Sequence, residues 1–525
     1  MGKKLNDIIW IKNQDNYVSA TSENIEHVKN LLDSTGPGFC LAKFTQVTMH
    51  LGTGMTHACH HPSPHKIPLD EITENPSALF NTNHLKRARR EMLEGGKPKE
   101  CDYCWRVENS GSMSDRMYKS LEPWALYDHD KIQSSNPDEN IYPTYLEVDF
   151  SNVCNFMCTY CGPEYSSKWV ENLKQHGPVK LLENTKHVQW SHGWQDLDKL
   201  SYKNNEFNPY LDAFWKWFPE AYKRLKVYRI TGGEPLLSKE TYRSIDWFIE
   251  NPNPEIDFSI NSNLCVPDKL WDQFIEKITK LSNGDYVKKF TLFTSVDGWG
   301  KQAEYARPGL DFDLFKKRYE QILSLGKIRA VIMCTFNIFS ITSVQKLFEW
   351  QVTLKRKYNR DHEFELWENE FRVKFDDNFS YVDRQNHSGK HFSLVGIDIP
   401  YLRSPGFLDA HFATPKLIEK HLIPAMHFMA SNVGNKVWGL HQGFELYEIE
   451  KFKRVVYDIL HFLTYQQNKN EEEVVIHRAR FYDFINEMDK RHNKNFLEIF
   501  PEMQEFYTIC EYAKNKIVKQ EFNEL

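Results

Sequence analysis

Six short β-rich runs, at 144–151, 226–231, 256–262, 288–296, 329–338 and 362–368, alternate with longer helical patterns such as 239–250, 267–282 and 311–326. Strands separated by helix-length crossovers pair in parallel, so this spacing predicts an α/β unit over residues 141–375. A parallel sheet covered on both faces has near-continuous apolar strands. These strands instead alternate. Leu146, Val148 and Phe150 oppose Glu147, Asp149 and Ser151, and Ile256, Phe258 and Ile260 oppose Asp257, Ser259 and Asn261. Phe364 and Leu366 oppose Glu363, Glu365 and Trp367 in the same way. An apolar face under helices and a polar face around a hollow interior fit this pattern better than a side-chain-packed barrel. A sheet with one solvated face fits the same alternation, but the inward carboxylates favour a cavity.

The flanks differ. Residues 1–140 read as irregular, with Gly, Pro, His and Asn clusters ("DSTGPGFC", "LGTGMTHACHHPSPHKIP") and one helix in "NTNHLKRARREMLEGG" stopped by Gly95 and Gly96. Residues 376–525 read as mainly helical; Ile449, Phe452, Val456, Ile459 and Leu463 recur at helical spacing. The N-terminus lacks the apolar core of a signal peptide, and no run of about 18 apolar residues occurs, so no membrane partner and a cytoplasmic location are expected. With 66 basic against 72 acidic residues, the charge of −6 argues against a nucleic-acid binder. The basic "HLKRARR" reads as a solvated helix face.

Ten cysteines in a reducing compartment point to metal binding or catalysis rather than disulfides. Cys154, Cys158 and Cys161 follow the first strand, on the loop where an α/β barrel carries its chemistry. Three thiolates fall one short of a closed zinc set and leave a metal position open to another molecule. Cys40, Cys59, Cys101 and Cys104 form a complete set of four, the last two as the chelating pair of "CDYCW". Zinc and an iron–sulfur cluster both suit four thiolates. His57, His60 and His61 are possible substitute ligands, although exposed loop residues is the simpler reading. Cys265, Cys334 and Cys510 are isolated and read as small buried hydrophobes.

The spacing CxxxCxxC after a first strand, with Tyr160 before the third cysteine, resembles the signature of the radical S-adenosylmethionine (SAM) enzymes. "ITGGEPLL" (230–237), "SINSNL" (259–264), "FTSVDG" (293–298) and "EYARPG" (304–309) resemble further segments of that family, in order and at strand ends. The resemblance implies a partial (β/α)6 barrel and a [4Fe–4S] cluster whose open iron binds SAM. SAM is then cleaved to a 5′-deoxyadenosyl radical that abstracts a substrate hydrogen. It assigns Tyr160, Gly232, Gly233, Glu234, Asn261, Ser295, Asp297 and Arg307 to cofactor binding, with Asn263 an alternative to Asn261. The second cysteine set looks like the twitch relative of the SPASM module, which implies a second [4Fe–4S] cluster, with zinc the alternative. In the family such modules follow the barrel; here the cysteines precede it. The expected reaction is oxidation or crosslinking of a peptide or protein side chain, fed by a flavodoxin or ferredoxin. The alternatives are the same chemistry on a sugar, amino alcohol or nucleotide, and a non-catalytic iron–sulfur or zinc protein. Glu147, Asp149 and Glu365, then Asp257 and Glu363, are the candidate proton-transfer groups.

Overall fold

In a computed structural model of the chain, the described residues are 22–182, 197–203, 206–359, 374–375, 381–382, 393–402, 404–434 and 442–523. Their centre is a nine-stranded sheet. In chain order its strands are β1 (Gln46–His50), β2 (Met55–His57), β3 (His65–Lys66), β4 (Tyr145–Asp149), β5 (Val227–Thr231), β6 (Asn253–Ser262), β7 (Val287–Ser295), β8 (Arg329–Met333) and β9 (Val395–Asp398). From β4 to β9 each strand pairs in parallel with the next in sequence. Helices Pro209–Tyr222, Lys239–Glu250, Asp268–Asn283, Phe312–Ser324 and Val344–Tyr358 supply the crossovers. The sheet is open, with β9 at one edge and β3 at the other.

Alternation along the strands sorts the two faces as the sequence predicts. Leu146, Val148, Ile230, Ile260, Leu292 and Ile332 are fully buried under the helices. Phe248 of the Lys239–Glu250 helix stacks on Phe258 of β6 at 4.6 Å. Each large apolar side chain so buried contributes about 1.5–3 kcal/mol. The opposite face carries Glu147, Arg229, Asn261, Ser295 and Asp398, all half-buried.

Three expectations change. The run 362–368, with Glu363 and Glu365, lies outside the described residues. The position beyond β8 is held by β9, past residue 375. The N-terminal region is not wholly irregular: β1 pairs in parallel with β4, setting Val47 beside Leu146, Thr48 beside Glu147 and His50 beside Asp149. β2 and β3 continue it antiparallel. "QVTMH" does alternate, but its parallel partner begins 99 residues later (145 − 46), so no local turn signal announces the pairing.

The helical C-terminal region docks on the last strands. Ile449, Phe452, Val456 and Ile459 are buried as the stripe predicts, while Leu463 is half-exposed. Phe452 packs edge-on against Phe336 and Phe348. Among the described residues no helix is long and apolar enough to cross a membrane.

Candidate metal centres at opposite ends of one strand pair

The loop after β4 carries the three-cysteine run and is stapled to residues 306–308. Met157 N donates to Pro308 O (2.8 Å), and Thr159 N and Oγ1 donate to Ala306 O (3.0 and 3.1 Å). Trp169 Nε1 donates to Cys158 O (2.9 Å) from the helix Ser167–His176. Two donors point at the sulfurs: Phe156 N at Cys154 Sγ (3.4 Å) and Arg307 Nη1 at Cys158 Sγ (3.5 Å). Such donors stabilise thiolate and tune a bound metal. Burial pushes the Cys161 thiol up to about 12 and raises Cys154 and Cys158, the last drawn back by Arg307.

Arg307 is held bidentate by Asp297 (Nε to Oδ2 2.8 Å, Nη2 to Oδ1 2.9 Å). Asp297 also accepts from Tyr160 Oη (2.8 Å) and Thr335 N (2.9 Å). Tyr160, Asp297 and Arg307, assigned separately to the cofactor by resemblance, therefore form one buried network ending on a cysteine sulfur. Asn261 Oδ1 accepts from Arg229 Nε (3.1 Å). Arg229 lies 3.9 Å from Glu147, whose carboxylate accepts from Thr231 Oγ1 (3.2 Å) and Tyr145 Oη (3.3 Å). Glu147 is thus a tethered member of the polar face. Ser295 sits at the end of β7 beside Met333 of β8.

The Gly-Gly turn after β5 sits against this loop. Gly232 has φ +117°, a left-handed conformation that favours glycine, and a methyl there would enter the Asp149 carboxylate. A methyl on Gly233 would enter the Val153 carbonyl, immediately before Cys154. Gly233→Ala is expected to displace the cysteine loop and cost at least about 2 kcal/mol of stability, read as a lowered urea midpoint with lost iron loading.

Glu234 is buried, and its carboxylate accepts from Ser262 Oγ (2.7 Å), Leu236 N (3.0 Å) and Asn263 N (2.7 Å). Its oxygens are occupied by the chain, tying the turn after β5 to the end of β6. Burial raises its pKa to about 7 against those three hydrogen bonds. A carboxyl whose folded-state pKa is raised binds more protons folded than unfolded, so stability falls as pH climbs from its ordinary value to about 7. The metal-free protein is expected to lose up to about 3 kcal/mol across that window, and Glu234→Gln to abolish that slope in urea titrations.

The four-cysteine set closes around one cavity. Cys40, Cys59, Cys101 and Cys104 line it with Lys43, Ala58, Trp105 and Arg116, and it encloses about 20 Å³. Cys40 precedes β1 and Cys59 follows antiparallel β2, so the site lies at the N-terminal ends of β1 and β4. The three-cysteine loop lies at the C-terminal end of β4. Five residues of strand, roughly 15 Å, separate the two ends. Burial pushes Cys59 and Cys101 up to about 12 and Cys104 up to about 11, so the free thiols are neutral near pH 7. Metal loading must therefore expel protons. Two buried cations face the set. Lys43, paired with Glu100, has its pKa raised, since Cys101 and Glu100 more than offset burial. Arg116 is clamped by Glu108 (2.8 Å) and pulls the Cys40 thiol down against burial. Four converging soft sulfurs beside two cations fit a thiolate-bound metal or cluster carrying net negative charge.

The histidines divide. His57 is buried on β2 rather than exposed on a loop, and its Nδ1 bonds to the Cys59 carbonyl. His60 and His61 converge on Asp115 at the cavity rim, and the ligand atoms of these three lie within 4.8 Å of one another. Cys334 and Cys510 are fully buried, as expected; Cys265 is only half-buried. Lys43, Arg116, His50 and Arg229 were not singled out in the sequence. A lysine beside a cysteine region carries no distinguishing pattern, but His50 and Arg229 sit at polar positions of alternating strands and were accessible to that argument.

No protein-family model matches this chain, and no curated protein matches it. Two solved structures of Streptococcus suis SuiB show a likeness. One, bound to S-adenosylmethionine, is 15% identical, with a TM-score of 0.29 over 59% of this chain and 60% of that one. The other is 14% identical, with a TM-score of 0.27 over 59% of each chain. The matched part is thus less than two thirds of either SuiB chain.

Proposed function

We propose that this protein is a radical SAM enzyme with an auxiliary metal centre. The observation that carries this reading is the convergence of the CxxxCxxC loop, the Gly232–Gly233 turn, Asn261, Ser295 and the Asp297–Arg307 pair at the C-terminal ends of adjacent parallel strands. When bound, SAM on a [4Fe–4S] cluster supplies a 5′-deoxyadenosyl radical for hydrogen abstraction. The chain's part is to hold and shield. Cys154, Cys158 and Cys161 hold the cluster and leave one position open. Arg307 donates to the Cys158 sulfur, and the glycines let the backbone approach closely. Cys40, Cys59, Cys101 and Cys104 hold a second, fully ligated centre across the polar face, which suits storing an electron rather than binding substrate. We assign the substrate as a peptide or protein side chain that is oxidised or crosslinked, and a flavodoxin or ferredoxin as the reductant.

The test is anaerobic iron–sulfur reconstitution followed by SAM and dithionite. 5′-Deoxyadenosine is the expected product, and its absence from a fully loaded enzyme overturns the reading. Deuterium transfer from a labelled peptide into 5′-deoxyadenosine supports the peptide assignment; transfer only from small molecules replaces it.

A further inference from the structure

Two histidines that no part of the reading above uses lie on the polar face between the two sets of cysteines. His50 ends β1 and His57 ends β2. They are diagonal partners across the antiparallel pair, since Thr48 lies opposite His57 and His50 opposite Met55. Their rings stack at 5.2 Å, with Nε2 to Nε2 at 3.1 Å. His50 Nδ1 reaches Asp149 Oδ2 at 3.3 Å, and His57 Nδ1 reaches the Cys59 carbonyl. The result is one line, Asp149–His50–His57–Cys59, running down the face from the Gly232 turn to the auxiliary site.

Hydrogen-bond bookkeeping along this line fixes its protons. The Cys59 carbonyl only accepts, so His57 carries its proton on Nδ1 and presents a bare Nε2. The 3.1 Å contact then needs a proton on His50 Nε2. A neutral His50 has now used its one proton, and its bare Nδ1 would face an acceptor-only carboxylate. That contact forms only if one more proton is present, on His50 Nδ1 or on Asp149. The surroundings agree. Asp149 is almost wholly buried, and burial raises its pKa against the pull of His50. His57 is held neutral, its pKa lowered to about 4 chiefly by burial. The other ionisable groups facing the line are Glu147, Tyr165, whose ring lies edge-on to His50 at 5.4 Å, and His60 beyond His57.

We propose that Asp149 and His50 hold a single shared proton at the cavity wall and serve as its acid–base group. The pair is a proton donor at rest and, after giving that proton up, a base. It would serve a substrate carrying an N–H or O–H beside the carbon that reacts. That use rests on the radical reading; the proton count does not, and the test addresses the count alone.

The test is NMR of the reconstituted enzyme with ¹⁵N-labelled histidine and ¹³C-carboxyl-labelled aspartate, titrated around neutral pH. Asp149→Asn and His50→Gln assign the signals, and the measurement itself is made on the unaltered chain. At pH 7 the expected result is a proton on His57 Nδ1, a proton on His50 Nε2, and one more reported by either His50 Nδ1 or the Asp149 carboxyl. In Asp149→Asn the amide can donate to Nδ1, so His50 should become singly protonated at Nε2. A bare His50 Nδ1 together with an ionised Asp149 at pH 7 overturns the proposal, as does a His57 protonated on Nε2. Neither result bears on whether SAM is cleaved.

Discussion

Cys158→Ala is expected to lower iron after anaerobic reconstitution from about eight to about four per chain and to abolish formation of 5′-deoxyadenosine. Cys158 is the sulfur that receives Arg307, and the loop around it is fixed by backbone bonds to 306–308, so the loss should be confined to that centre. Cys101→Ala and Cys104→Ala should also remove about four irons while leaving SAM cleavage measurable, because their site lies at the other end of β1 and β4. Iron and sulfide assays with chromatography of the nucleoside products give both readings. Iron unchanged in Cys158→Ala, or about one zinc per chain lost with Cys101, would reassign the respective site.

Lys355→Met is expected to cost about 3–5 kcal/mol of folding stability, the largest effect of any change outside the cysteines. Lys355 is wholly buried on the Val344–Tyr358 helix and donates to Glu448 Oε1 (3.0 Å) and to the Val395 carbonyl (2.8 Å). The same Glu448 oxygen accepts from Ile397 N (2.9 Å), and Oε2 accepts from Glu445 N (2.8 Å). One ion pair thus joins a crossover helix, the last strand and the helix Leu446–His461. Removing the ammonium leaves a buried carboxylate without its counter-charge. Urea denaturation checks the value, and the double change Lys355→Met, Glu448→Leu should recover much of it, since replacing both partners removes the stranded charge. A single-variant loss below about 1 kcal/mol would mean that water reaches the pair.

The sequence revealed most where chemistry and periodicity coincide. The strands β4 to β8 and their helices follow from alternation and spacing, and both cysteine sets follow from counting thiols. What it concealed depends on long-range pairing. β1 reads as an isolated alternating pentapeptide until its ladder with β4 is known. β9 follows a stretch outside the described residues and carries only four strand residues. The roles of Arg307, Glu234 and His57 were misjudged for a related reason. A motif names a residue type at a position, but whether its polar atoms face a ligand or the chain's own donors is decided by neighbours distant in sequence. Glu234 meets Ser262 and Asn263, Arg307 meets Asp297, and His57 meets His50.

The ladder between β1 and β4 makes the spacing of the two centres a quantised property. The rows of backbone hydrogen bonds that tie Gln46–His50 to Tyr145–Asp149 allow only whole-residue displacements of one strand against the other. The smallest slip would move the cysteines flanking β1 by about 3.3 Å and turn His50 to the apolar side. Electron tunnelling falls off exponentially with distance, so the rate between the two sites would change in discrete steps with register rather than drift with side-chain motion. Insertions at the β1–β2 turn could vary the loop freely, yet the gap an electron must cross would stay locked to an integer count of peptide units.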